Sequence, residues 1–193
     1  MIYSFFITNL KYYFKSGLMY HIFIYNLIIL LIMIFLFKNN EIFNYLWLII
    51  FISTFLSLDL LFKQDFIDGR LEIIYLSSFS LYLYTLFKYI FFWVFCQLPF
   101  ILFIILFQEF DFISCICLML GSIACSLLGG LMYVLTFGIY EKTLLLSIMV
   151  FPLFIPILVF GTSLIITFLL QFVIFLIIII PFITTYVLIK NIH

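Results

Sequence analysis

Residues 144–189 read LLLSIMVFPLFIPILVFGTSLIITFLLQFVIFLIIIIPFITTYVLI and hold not one formal charge. A helix crosses about 30 Å of hydrocarbon with about 20 apolar residues, so this stretch is too long for one span and long enough for two joined by a turn. Gly161, Thr162 and Ser163 are the turn candidates. Working back toward the N-terminus, further runs with almost no charge fall at about 21–37, 42–58, 86–107 and 113–139. With the last stretch divided at about 144–161 and 164–189, the expectation is an all-α polytopic membrane protein of six transmembrane helices, a single domain over 1–193.

Composition agrees with that reading. Of 193 residues 69% are hydrophobic and only 8% charged, whereas about a quarter of a soluble domain is charged. Six spans use about 120 residues, and the remainder is too small for a second domain. Eight basic residues balance eight acidic ones, so the positive field that nucleic-acid binding needs is absent and DNA and RNA are excluded as partners.

Basic residues also orient the chain, because inside loops carry the Lys and Arg excess. With the N- and C-termini inside, Lys11, Lys15, Lys63, Arg70, Lys88, Lys142 and Lys190 fall on that side and only Lys38 falls outside. Residues 1–16 do not resemble a cleavable signal. On a helix, Phe6, Leu10, Tyr13 and Phe14 share one face and Thr8, Lys11 and Lys15 another, which suits an amphipathic helix lying in the membrane interface.

Every charge is expected at or outside a span boundary, which argues against a proton-translocating subunit, since those bury ionisable groups at mid-membrane. Seven of the sixteen charged residues gather in or beside one inside segment, 59–80, where Asp59, Lys63, Asp65, Asp68, Arg70 and Glu72 stand, with Lys88 farther along. Asp59 and Lys63 have the favourable acid-first i, i+4 spacing, and Gly69 reads as a left-handed helix stop. These charges make no single clean face, so a segment gripped by another protein fits better than a helix flat on lipid.

Pro99, Pro152, Pro156 and Pro181 each remove a backbone hydrogen bond inside a span and mark hinges or kinks. In the fourth span Gly121, Cys125 and Gly129 recur every four residues, with Ser122, Ser126 and Gly130 beside them, a pattern for close helix packing in lipid. The partner helix could lie in the same chain or in a second copy. Cys96, Cys115, Cys117 and Cys125 sit in apolar runs and read as packing residues. Cys115 and Cys117 are two apart, so on a helix they diverge and do not suit a metal. His21 and His193 lie at a span boundary and at the chain end, positions that suit interfacial residues better than haem ligands. No Walker A, HExxH, CxxCH or GxSxG pattern occurs, so the chain reads as a non-catalytic membrane subunit.

Two segments carry a family resemblance. LFKQDFIDGRLEIIYLS, at 61–77, contains D-x-x-D-G-x-L-E (Asp65, Asp68, Gly69, Leu71, Glu72), and LLLSIMVFPLFIPILVFGTS, at 144–163, contains P-L-x-I-P (Pro152, Leu153, Ile155, Pro156). Together they resemble the heme exporter protein B family, the CcmB-type membrane subunit of an ABC transporter for cytochrome c maturation. The chain departs from it at Ser77, Ser78 and Ser80, where members have a proline-bearing stretch, and in a shorter outside loop between the fifth and sixth spans.

The resemblance implies an ABC-2-like permease half without a nucleotide site. Its implied partners are a separate ATP-binding subunit, a haem-handling membrane protein, a small accessory membrane protein, a haem chaperone and a second copy of this chain. Haem is then the cargo of the complex, with no cofactor bound by this chain itself, and Asp65, Asp68, Gly69, Arg70 and Glu72 form the surface coupled to the ATPase. The alternatives are an ABC permease for another cargo, such as lipid or polysaccharide, and a hydrophobic subunit of a respiratory complex. The Phe-, Ile- and Asn-rich composition points to an A- and T-biased genome, hence an organelle-encoded protein of the mitochondrial inner membrane or, alternatively, a bacterial plasma membrane protein.

Overall fold

A computed structural model describes residues 39–58, 61–62, 65, 67–76, 80–107, 111–136 and 142–192, together with Tyr20, Ile24, Leu27, Ile28 and Leu31. The helix expected over 1–16, most of the expected first span, the Asp59–Lys63 pair, Ser77, Ser78, His21 and His193 lie outside the described residues. Among the described residues all regular structure is helical: α1 (Asn39–Ser57), α2 (Arg70–Leu76), α3 (Leu81–Phe92), a π-helical turn (Trp93–Gln97), α4 (Leu98–Phe107), α5 (Phe112–Leu135), α6 (Lys142–Thr162) and α7 (Ile166–Ile192).

Among the described residues two helices, Phe112–Leu135 and Ile166–Lys190, are long and apolar enough to cross a membrane, and they occupy different places in the fold. The most apolar stretch of α5 is 61% buried and that of α7 only 28%. The small residues of α5 account for the difference, because they let α1, α6 and α7 pack around it. Outward faces are apolar instead of polar: Phe151, Ile155 and Val159 on α6, and Phe175, Phe182 and Tyr186 on α7, are all exposed. A surface of that kind is stable against hydrocarbon and unstable against water.

Trp47 of α1 organises the contact between α1, α5 and α6. Its indole is 1% exposed, and a Cβ built at either Gly121 of α5 or Gly161 of α6 would come closer than 3.0 Å to its ring carbons. The ring therefore occupies a slot between two glycines on two helices. Gly129 meets Leu58 in the same way, with a built Cβ 2.9 Å from Leu58 Cδ2, and Cys125 between them is buried. The helix that approaches the α5 stripe is thus α1 of the same chain.

This placement corrects the reading of Gly161 as a turn residue. α6 continues through Thr162, and Gly161 is helical because Trp47 needs its missing side chain. The turn follows at Ser163 and Leu164, where Leu164 takes φ 56. Ile165 N–H reaches Phe160 O and Leu164 N–H reaches Gly161 O, both at 3.3 Å, which is a Schellman closure with leucine in the position that glycine usually holds.

The prolines sit inside helices. Pro152 and Pro156 lie within α6 and cannot donate to the carbonyls of Ile148 and Pro152 four residues back. Pro99 follows the π-helical turn, where Leu98 N–H bonds Trp93 O five residues earlier instead of four. Pro181 lies within α7, and its carbonyl accepts hydroxyl bonds from Thr184, Thr185 and, across to α3, Thr85.

Candidate functional site

The segment before α3 is where charge and structure meet. Leu61 and Phe62 are fully buried, Asp65 follows at 2% exposure, and the chain then turns at Asp68 and Gly69 into the short helix α2. Gly69 has φ 64, the left-handed conformation that glycine adopts without steric cost, and a Cβ there would meet nothing within 4 Å. Leu71 is buried and Ile74 packs against the core, so α2 is seated by one face. The other face carries Glu72, Ile73, Tyr75 and Leu76, all exposed.

Asp65 is the hub of an ionic cluster. Lys88 Nζ lies 2.5 Å from its Oδ2, and the Tyr84 hydroxyl donates to the same oxygen at 2.5 Å. Tyr84 and Lys88 are four apart on α3, so both point from one face of that helix toward the carboxylate. Arg70 Nη1 stands 3.8 Å from Asp65 Oδ1, and Arg70 Nη2 is 3.1 Å from Asp68 Oδ2. Lys88 is 1% exposed, and a buried charge of this kind persists when paired and hydrogen-bonded.

Two expectations change here. Lys88 is not an exposed charge at the start of its helix: α3 begins at Leu81, which carries Lys88 two turns into the helix, where it is buried and Asp65 compensates it. Asp65 is not a surface residue either, because its carboxylate is taken up by α3. Of the residues expected at a coupling surface, Asp68, Gly69, Arg70 and Glu72 remain accessible, while Asp65 lies beneath them.

The structure also adds residues that charge alone could not reveal. Ile67 is 73% exposed and Leu76 85%, and with Ile73 they give this surface apolar anchors beside its acids. The sequence signal was available in retrospect, as a seven-residue helix with Leu71 and Ile74 at i, i+3 facing in leaves Ile73 and Leu76 facing out.

A few polar contacts join one helix to another. Gln97 Nε2 donates to Thr54 Oγ1 at 3.0 Å, linking the π-helical turn to α1, and Trp93 Nε1 donates to Ser122 Oγ at 2.8 Å, linking it to α5. An apolar groove of about 500 Å³ lies between α1 and α6 beside Trp47, Phe51 and Phe154, and one of about 300 Å³ between α3, α5 and α7 beside Tyr89, Trp93 and Pro181. Among the described residues no group of three His, Cys, Asp or Glu side chains converges as a metal site would require. Cys96, Cys117 and Cys125 are buried free thiols and Cys115 is half-buried.

Comparison with known proteins gives consistent matches. A family model described as CcmB protein matches residues 9–189. Heme exporter protein B of Haemophilus influenzae is 36% identical over 124 residues, 61% of this chain and 56% of that protein. Heme exporter protein B of Pseudomonas aeruginosa is 35% identical over 124 residues with the same coverage, and that of Rhodobacter capsulatus is 32% identical over 127 residues, 62% of this chain and 58% of the relative. The matched part is thus under two thirds of these relatives' own length.

Proposed function

The chain belongs to the CcmB protein family, and from that premise we propose that it is the permease half of an ABC transporter acting in haem delivery for cytochrome c maturation. The relatives it matches carry the name heme exporter protein B. In this reading ATP is hydrolysed by a separate subunit, and this chain converts that event into release of a haem-loaded chaperone or export of haem. A haem-handling membrane protein and a small accessory membrane protein complete the complex, in which two copies of this chain pair. Six spans, both termini inside and the 1–16 interfacial helix belong to the same proposal, in a mitochondrial inner membrane or a bacterial plasma membrane.

The observation that carries the reading is the surface from Ile67 to Leu76. A chain that receives work from a partner needs a firm place for that partner to push. Apolar anchors (Ile67, Ile73, Leu76) interleaved with charges (Asp68, Arg70, Glu72), on the turn and the short helix α2 seated by buried Leu71, have the make-up of a protein-docking surface. Such anchors supply most of the binding energy and the charges set register. These are interaction residues and do no covalent chemistry.

The test is charge reversal, Asp68→Lys with Glu72→Lys, in the full complex in membranes. The expected result is normal accumulation of this chain, loss of the co-purifying ATP-binding subunit and loss of c-type cytochromes. Retention of both subunit and cytochromes would refute the coupling surface. Normal c-type cytochromes in cells lacking the chain altogether would refute the cargo and favour a permease for lipid or polysaccharide.

A further inference from the structure

The turn at Gly69 is a place where force would be lost. It is centred on a glycine with φ 64, and the space around its Cα is open, so a push on α2 could be absorbed by rotation there. The ionic cluster bridges that turn. Arg70, on the far side of Gly69, reaches back to Asp65 and also to Asp68 at the tip, while Asp65 is held from the other direction by Lys88 and Tyr84 of α3. From α3 the chain of contacts continues to α7, through the Thr85 hydroxyl on Pro181 O at 3.4 Å.

We propose that Asp65 and Lys88 are positioning residues that tie the Ile67–Leu76 segment to α3, so that displacement of the segment moves that helix instead of bending the turn. The proposal rests on the reading that this segment meets an ATP-binding subunit. Packing alone does not call for the pair. Two well-packed apolar side chains hold helices together at least as well as a buried ion pair does, because both charges must first be desolvated. Apolar contacts, however, tolerate sliding, whereas one carboxylate oxygen shared by an ammonium and a phenol fixes both distance and direction. The sequence offers the same logic in reverse: Lys88 is the single charge in α3, and it stands at a position that meets Asp65.

The test uses the whole complex in membranes and reads four quantities: accumulation of this chain, bound ATP-binding subunit, ATP hydrolysis and c-type cytochrome yield. Asp65→Asn with Lys88→Met removes the tie without leaving a lone buried charge. The expected outcome is near-normal accumulation, subunit binding and ATP hydrolysis, with cytochrome yield reduced about ten-fold. Such uncoupling is not what a purely structural pair produces, since that would lower accumulation and activity together. Lys88→Arg, which keeps the charge, is expected to retain at least about half of the yield, and a loss as deep as that of the neutral pair would count against the tie.

A neutral double variant whose cytochrome yield stays within about two-fold of normal overturns the proposal. Should that variant fail to accumulate, Tyr84→Phe is read instead, because it drops one hydrogen bond and leaves the ion pair. A yield lowered about two- to five-fold at normal accumulation is then expected, and an unchanged yield overturns the proposal. If Asp68→Lys with Glu72→Lys leaves the ATP-binding subunit bound, the underlying coupling reading fails. If that reversal releases the subunit while pair neutralisation leaves cytochromes normal, only the tie fails.

Discussion

Adding a single methyl group at Gly121 or Gly161 is expected to destabilise the protein out of proportion to its size. In either case the new Cβ would fall closer than 3.0 Å to the Trp47 ring, and the ring has a glycine of another helix behind it. Overpacking that forces a side chain off its rotamer or moves a backbone costs about 1–3 kcal/mol, and here the obstructing group is a rigid, 1% exposed indole. Gly121→Ala and Gly161→Ala should each lie toward the upper end of that range.

Trp47→Leu alone should cost about 2–3 kcal/mol through the cavity it leaves, in line with other large-to-small core changes. Combining it with both alanines refills part of the slot. The triple variant should therefore be less destabilised than the sum of its parts, with a coupling of about 1–3 kcal/mol between residues that touch. Thermal unfolding of the detergent-purified protein gives the cycle directly, with each alanine variant measured both in the wild-type background and in the Trp47→Leu background. If Gly121→Ala melts at the wild-type temperature, or costs as much after Trp47→Leu as before it, the three-helix slot is not what holds α1, α5 and α6 together.

Three smaller perturbations follow from backbone and hydrogen-bond geometry. Gly69→Ala should lower stability by about 1–2 kcal/mol through strain at φ 64 alone, since no atom lies near the new Cβ; Gly69→Asn should cost less, and unfolding midpoints check both. Leu164→Gly should raise the unfolding midpoint by the equivalent of about 1 kcal/mol, because it relieves the left-handed strain at an exposed side chain, and an unchanged or lower midpoint would contradict the closure described. Trp93→Phe removes the 2.8 Å bond to Ser122 while Ser122 keeps its bond to Met119 O, so a loss of about 0.5–1.5 kcal/mol is expected in the same assay.

Hydropathy and spacing carried the helical class, the stripe of small residues on α5 and the singular character of the segment around Asp68. Each is local, a matter of what recurs along a few turns. What they could not carry is pairing across helices. Hydropathy starts a span where charge stops, so Lys88 marked an edge. Its neutralisation by Asp65, across a turn, is visible only once α3 is folded against the segment. Gly161 posed the same difficulty: glycine is equally the residue of turns and of close approach, and only the position of Trp47 decides between them. The segment's apolar anchors are hard to read from sequence because Ile and Leu do not stand out in a chain that is 69% hydrophobic.

The wide turn at Trp93–Gln97 amounts to one extra residue lodged in a helix. Removing any one residue there would let an ordinary helical register run through to Pro99. Because the wide turn absorbs that residue by turning through fewer degrees per residue, its removal would leave α3 and α4 in nearly the same phase. Lys88 and Tyr84 would keep facing Asp65. The stretch between Trp93 and Gln97 should therefore survive a single-codon loss better than the ordinary helical turns on either side, as long as the bonds of Trp93 to Ser122 and of Gln97 to Thr54 are kept.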